Sequence, residues 1–199
     1  MSERIILASG SRIRARLLKD AGVAFSATVA RVDEDALKAA ALAQGMSPRD
    51  LADLLADAKA RKVAGKNPGQ LVIGCDQILE FDGTILSKPA TKPDARQQLS
   101  QLSGRSHVLY SAVVLYEGNR PVWRTIGKTR LTMRNLSHDY IQDYVERNWD
   151  EIRHSVGAYQ IEKEGIRLFS AIDGDYFNIL GLPLLELLDY LVETGELPG

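Results

Sequence analysis

Apolar residues in this chain change period again and again. Short runs spaced for strands give way to segments with helical spacing, and then strands return. Residues 4–8 read as a buried strand, and residues 11–20 as a helix with Ser11 at its N-cap and Gly22 as its stop. Residues 25–30 suit a second strand. Residues 30–48 are polar and alanine-rich, read as a loop or a short extra helix. Ser47-Pro48 opens a long helix whose face includes Leu51, Leu54, Leu55, Ala58 and Lys59. Residues 71–75 form an apolar strand expected to end at Asp76. Residues 79–86 suit a hairpin around Asp82-Gly83. A helix over 93–102 follows, then strands over 108–115 and 122–133, separated by EGNRP. A helix over 137–148, a strand over 166–172 and an amphipathic helix over 182–193 complete the chain. The pattern predicts a mixed α/β protein with no internal repeat.

Composition narrows the function. The chain has 199 residues, 45% of them hydrophobic, which is enough for one core or for one domain with two lobes. The formal net charge is −1, which disfavours general binding of nucleic acid. The opening MSERII lacks the apolar stretch of a secretory leader, and no apolar run approaches a membrane span. The single cysteine, Cys75, has no internal disulfide partner. A soluble cytoplasmic protein is the expectation.

Two strands run into polar groups that packing alone does not require. The first meets Ser9-Gly10-Ser11, followed by Arg12, Arg14 and Arg16. A small-residue turn lets a ligand approach the backbone. The helix N-terminus beyond it offers unpaired N–H groups. Arginine adds a planar fork suited to phosphate oxygens. Together they describe an anion site, although the same arginines taken alone also suit a solvated helix face. Helical spacing lets one or two of them face the turn. Neither GxxxxGKS nor GxGxxG is present.

Asp76, after LVIGC, reads as a turn cap, or as a general base or metal ligand. Lys59 and Lys88 each read as surface lysines or as cations for a substrate. Asp33, Glu34 and Asp35 suit either a solvated loop or a hard divalent cation. His107 and His138 read as turn and helix-start residues. No zinc pattern and no GxSxG is present, and Cys75 reads as buried and unreactive.

In order along the chain these stretches resemble the Maf family, the septum-formation-associated nucleotide pyrophosphatases. LASGSRIRARLL, RVDED, LADAKARK, IGCDQIL, the run from ILSKPA to SAVVL, VGAYQIEKEG and DGDYFNILGLPLLEL carry the resemblance over nearly the full length. It implies a single two-lobed Maf-like (ITPase-like) α/β domain over 1–199, with a mixed elongated sheet, flanking helices and a central nucleotide cleft. It implies hydrolysis of a nucleoside triphosphate between the α and β phosphates, a divalent cation such as Mg²⁺ or Mn²⁺, and a homodimer. It implies that Ser9, Arg14, Lys59 and Lys88 meet the phosphates. Asp76 would be the catalytic carboxylate that prepares water or holds metal, Glu34 would serve the metal or the nucleotide, and Glu162 would serve the metal.

Beside Arg12 in place of a proline, three positions depart from the commonest family pattern: Ile13 in place of an arginine, Gln77 in place of threonine and Glu162 in place of glutamine. They resemble the branch acting on 7-methyl-GTP rather than the branch acting on dTTP and UTP. A non-enzymatic nucleotide-binding regulator of septum formation is the rival reading. Product identity separates both from a phosphatase that releases single phosphates.

Overall fold

The computed structural model describes residues 4–198. Met1, Ser2 and Glu3, which open the MSERII stretch, lie outside the described residues. Among the described residues seven strands form one mixed sheet in the order β2-β1-β3-β5-β6-β7, with β4 paired to β3. They are β1 (Ile5–Ala8), β2 (Phe25–Ala27), β3 (Leu71–Phe81), β4 (Thr84–Leu86), β5 (Ser106–Glu117), β6 (Arg120–Met133) and β7 (Phe169–Asp173). The helices are α1 (Arg12–Asp20), α2 (Glu34–Ala43), α3 (Pro48–Ala64), α4 (Lys92–Leu102), α5 (His138–Ile152), α6 (Tyr176–Ile179) and α7 (Leu184–Glu193). Among the described residues no helix is long and apolar enough to cross a membrane.

The chain divides into two compact units. The first comprises the residues up to Gln77, Ser111–Gly127 and the residues from Tyr176 onward. Within it β1 lies parallel to both neighbours, Leu7 opposite Ala27 on β2 and Ile73 on β3. Parallel strands require crossovers, and α1 and α3 supply them. Leu18, Leu51, Leu55, Ile73, Leu115 and Leu187 fill its core. The second unit comprises Ile78–Tyr110 and Lys128–Asp175. It contains the β3–β4 hairpin, in which Asp82 and Gly83 take positive φ, as such a turn requires. Helix α4 packs on α5, and β7 runs antiparallel to β6 with a register shift at Thr132/Met133. Leu79, Leu99, Leu102, Leu109, Leu131 and Tyr144 are among its fully buried side chains.

Capping residues set several boundaries as expected. Ser11, Ser47 and Ser137 each accept a backbone N–H in the first turn of their helices, and Pro48 occupies the first turn of α3. Four expectations need correction. First, β3 does not end at Asp76 but continues to Phe81, because burial on both faces carries the ladder through the charge. Second, residues 164–168 form a 3₁₀ turn, so the strand begins only at Phe169. Gly165 explains the turn, since a Cβ there would lie 2.4 Å from the Gln160 carbonyl oxygen. Third, α7 starts at Leu184, after Pro183. Fourth, His107 is a buried strand residue, 1% exposed, not a turn residue. The alanine-rich segment resolves as the short extra helix α2.

Candidate active site

The site in the first unit begins where β1 gives way to α1. Ser9 is buried, and its Oγ accepts from the Ser11 N–H at 3.2 Å and from Arg14 Nη1 at 3.4 Å. Its own proton has no acceptor among the described residues. Of the three arginines only Arg14 is buried; Arg12 and Arg16 are exposed, and Arg16 pairs with Asp20. Arg14 Nε donates to the Gly181 carbonyl at 2.7 Å and Nη1 to the Cys75 carbonyl at 3.2 Å. No carboxylate among the described residues lies in ion-pair range of it. A buried guanidinium compensated only by neutral oxygens leaves positive charge for an anion to meet.

Beside it, Asp76 is 6% exposed on β3 and Lys59 is 9% exposed on α3. Gly74 brings the two elements together. A Cβ at Gly74 would stand 2.2 Å from the Ala56 carbonyl oxygen and 2.6 Å from the Ala60 nitrogen. Without one, the helix backbone lies directly on the strand. Strand alternation turns Asp76 to the same face as Gly74. Lys59 Nζ then reaches Asp76 Oδ1 at 2.6 Å and Glu34 Oε1, from the first turn of α2, at 2.9 Å. Asp33 is occupied as the α2 cap, accepting from the Ala36 N–H. Asp35 is exposed.

Two carboxylates therefore converge on one point that an ammonium fills. Among the described residues no cluster of three or more His, Cys, Asp or Glu could by itself hold a metal ion. Mg²⁺ commonly takes only one or two carboxylates and fills its other positions with water and substrate phosphate. Glu34 and Asp76 fit that demand, with Lys59 as the cation already between them.

Cys75, fully buried, is no nucleophile: burial pushes its thiol up to about 11, against the smaller downward pull of Arg14 and Lys59. Lys88 and Glu162 belong to the second unit, and both are exposed there. Lys88 follows β4 in the LSKPA loop. Glu162 lies in the turn before the 3₁₀ segment, a turn held by Arg147 and Asn148, which bond Glu164 at 2.8 and 3.0 Å.

Three contributors carried no role in the sequence reading. Gly181 supplies the carbonyl that holds Arg14, and its φ of +91 with Arg14 Nη2 3.0 Å from an added Cβ leaves room only for glycine. Ser111 is fully buried, and Asn178 is 4% exposed. A lone serine inside the apolar run YSAVVL was the available sign of Ser111.

The Maf-like protein family model matches residues 4–194. A nucleoside triphosphate pyrophosphatase of Ruegeria sp. (strain TM1040) is 60% identical over 98% of each chain. A 7-methyl-GTP pyrophosphatase of Brucella abortus biovar 1 is 48% identical over 94% of each chain. Among solved structures, a HAM1 protein from Coxiella burnetii superposes with a TM-score of 0.48 at 18% identity, covering 97% of this chain and 100% of that one.

Proposed function

Because this chain belongs to the Maf-like protein family, we propose that it hydrolyses a nucleoside triphosphate between the α and β phosphates, giving the monophosphate and pyrophosphate. The observation that carries the reading is the buried Asp76–Lys59 pair, joined by the partly exposed Glu34, beside Arg14, whose charge meets only neutral oxygens. A triphosphate brings about four negative charges, and cations must offset them as the anhydride breaks. Arg14 and the Ser9 hydroxyl meet phosphate oxygens. Lys59 holds Asp76 in place and adds positive charge. Asp76 orients the attacking water and receives its proton. The family resemblance of LSKPA and YQIEKEG gives Lys88 a phosphate role and Glu162 a metal role. A divalent metal, when bound, supplies Lewis-acid neutralisation of the phosphates, and Glu34 and Asp76 would hold it.

The favoured substrate is 7-methyl-GTP. Ile13, Gln77 and Glu162 support it by resemblance, and the name of the Brucella relative points the same way. The test is pyrophosphate release from 7-methyl-GTP, GTP, UTP, dTTP, CTP and 5-methyl-UTP with Mg²⁺ or Mn²⁺, beside Asp76→Asn. We expect preference for 7-methyl-GTP and a loss of about 10²-fold or more in Asp76→Asn. Preference for UTP or dTTP would keep the reaction and remove the substrate assignment. Nucleotide binding with no pyrophosphate from any substrate would favour the regulator.

A further inference from the structure

Successive side chains of β3 face opposite ways. Asp76 faces α3, and Gln77 faces the other side. There the Gln77 amide nitrogen donates toward three acceptors: Ser111 Oγ at 2.9 Å, the Asn178 carbonyl at 2.9 Å and the Ile179 carbonyl at 3.0 Å. Ser111 Oγ in turn donates to the Asn178 carbonyl at 2.6 Å. Two amide hydrogens shared among three acceptors leave no donor for a nucleotide base.

The segment so held needs external support. Helix α6 is four residues long, too short to sustain itself. It leads to Gly181, whose N–H returns to the Asn178 carbonyl at 3.0 Å. Gly181 then presents its own carbonyl to Arg14 Nε at 2.7 Å, the shortest of the three contacts that orient this guanidinium. We infer that Gln77 is a positioning residue for the phosphate site: by clamping the 178–181 turn it fixes the Gly181 carbonyl, and with it the direction of Arg14. The inference rests on the reading in which Arg14 meets phosphate. It assigns the Gln77 amide donor to the geometry of the anion site.

The experiment is a double-mutant cycle of Gln77→Met with Arg14→Lys, read as kcat/KM for pyrophosphate release. Exchange of the Arg14 Nε–H with water, followed by NMR, accompanies it. Gln77→Met keeps the side-chain volume and removes the donor. Expected is a loss of about tenfold in the Arg14 background, carried mainly by KM, and less than about twofold in the Arg14→Lys background. The Nε–H should exchange at least about tenfold faster in Gln77→Met, since its acceptor is no longer held. An equal loss in both backgrounds, or an unchanged Nε–H, overturns the inference. If no protein, wild type included, releases pyrophosphate, the proposed reaction fails while the exchange rate still decides the positioning role. Should Gln77→Met not fold, Gln77→Glu, which keeps the side-chain shape and replaces the amide donor with a carboxylate acceptor, is read the same way.

Discussion

Lys59 is nearly buried, with Nζ 2.6 Å from Asp76 and 2.9 Å from Glu34. Removing a partner from a buried pair costs more than the pair contributes, because a desolvated charge is left alone. Lys59→Ala leaves the buried Asp76 carboxylate without its cation, whereas Asp76→Asn leaves Lys59 its bond to Glu34. Urea unfolding at pH 7 without divalent metal should show Lys59→Ala destabilised by about 3 kcal/mol and Asp76→Asn by about 1 kcal/mol. Adding Mg²⁺ should stabilise Lys59→Ala more than wild type, since the metal can enter between carboxylates that have lost their ammonium. Equal stabilisation of the two proteins would argue against a metal held by Glu34 and Asp76.

At the scale of elements, the contact of α3 with β3 decides whether those side chains can meet. Ala56 and Ala60 offer a flat helix face, and Gly74 removes the last obstacle on the strand. The obstructing atoms are backbone, so a methyl at Gly74 cannot be absorbed by a rotamer change. Gly74→Ala should cost about 1–3 kcal/mol and should lower pyrophosphate release by widening the gap between Lys59 and Asp76. A variant with full stability and full activity would show that the helix moves aside freely. The same logic explains the long β3. The apolar run and the hairpin beyond it are one strand, and Asp76 is tolerated inside it because Lys59 neutralises it there.

Across the whole molecule the two units differ in their response to acid. His107, in the second unit, is buried against Tyr159, whose hydroxyl lies 2.7 Å from Nε2, and its Nδ1 has no partner. Burial lowers its pKa from 6.5 to about 4. The unfolded chain therefore binds a proton between pH 6.5 and 4 that the folded chain refuses. Stability is full above pH 6.5 and is lost as pH falls toward 4, by roughly 3 kcal/mol. His138 and His154, also in this unit, are exposed. Hydrogen exchange at pH 5 and pH 7, corrected for intrinsic rates, should show protection falling more in Lys128–Asp175 than in the strands β1 and β2. His107→Phe should remove the difference. Uniform loss in both units would place the acid sensitivity elsewhere.

The sequence by itself determined the local grammar of this protein. Helix starts at Ser11, Ser47 and Ser137, the Asp82-Gly83 turn and the α/β alternation follow from interactions within a few residues, which a reader of one chain can see. It also carried the family, since motif order is linear information. Tertiary structure alone decided which of three arginines is buried, that Lys59 stands between Asp76 and Glu34, and that Gln77 clamps a turn a hundred residues away. Each of these depends on the space left between distant backbones. At Gly74 and Gly181 a missing Cβ sets that space, and only the packed chain shows what fills it.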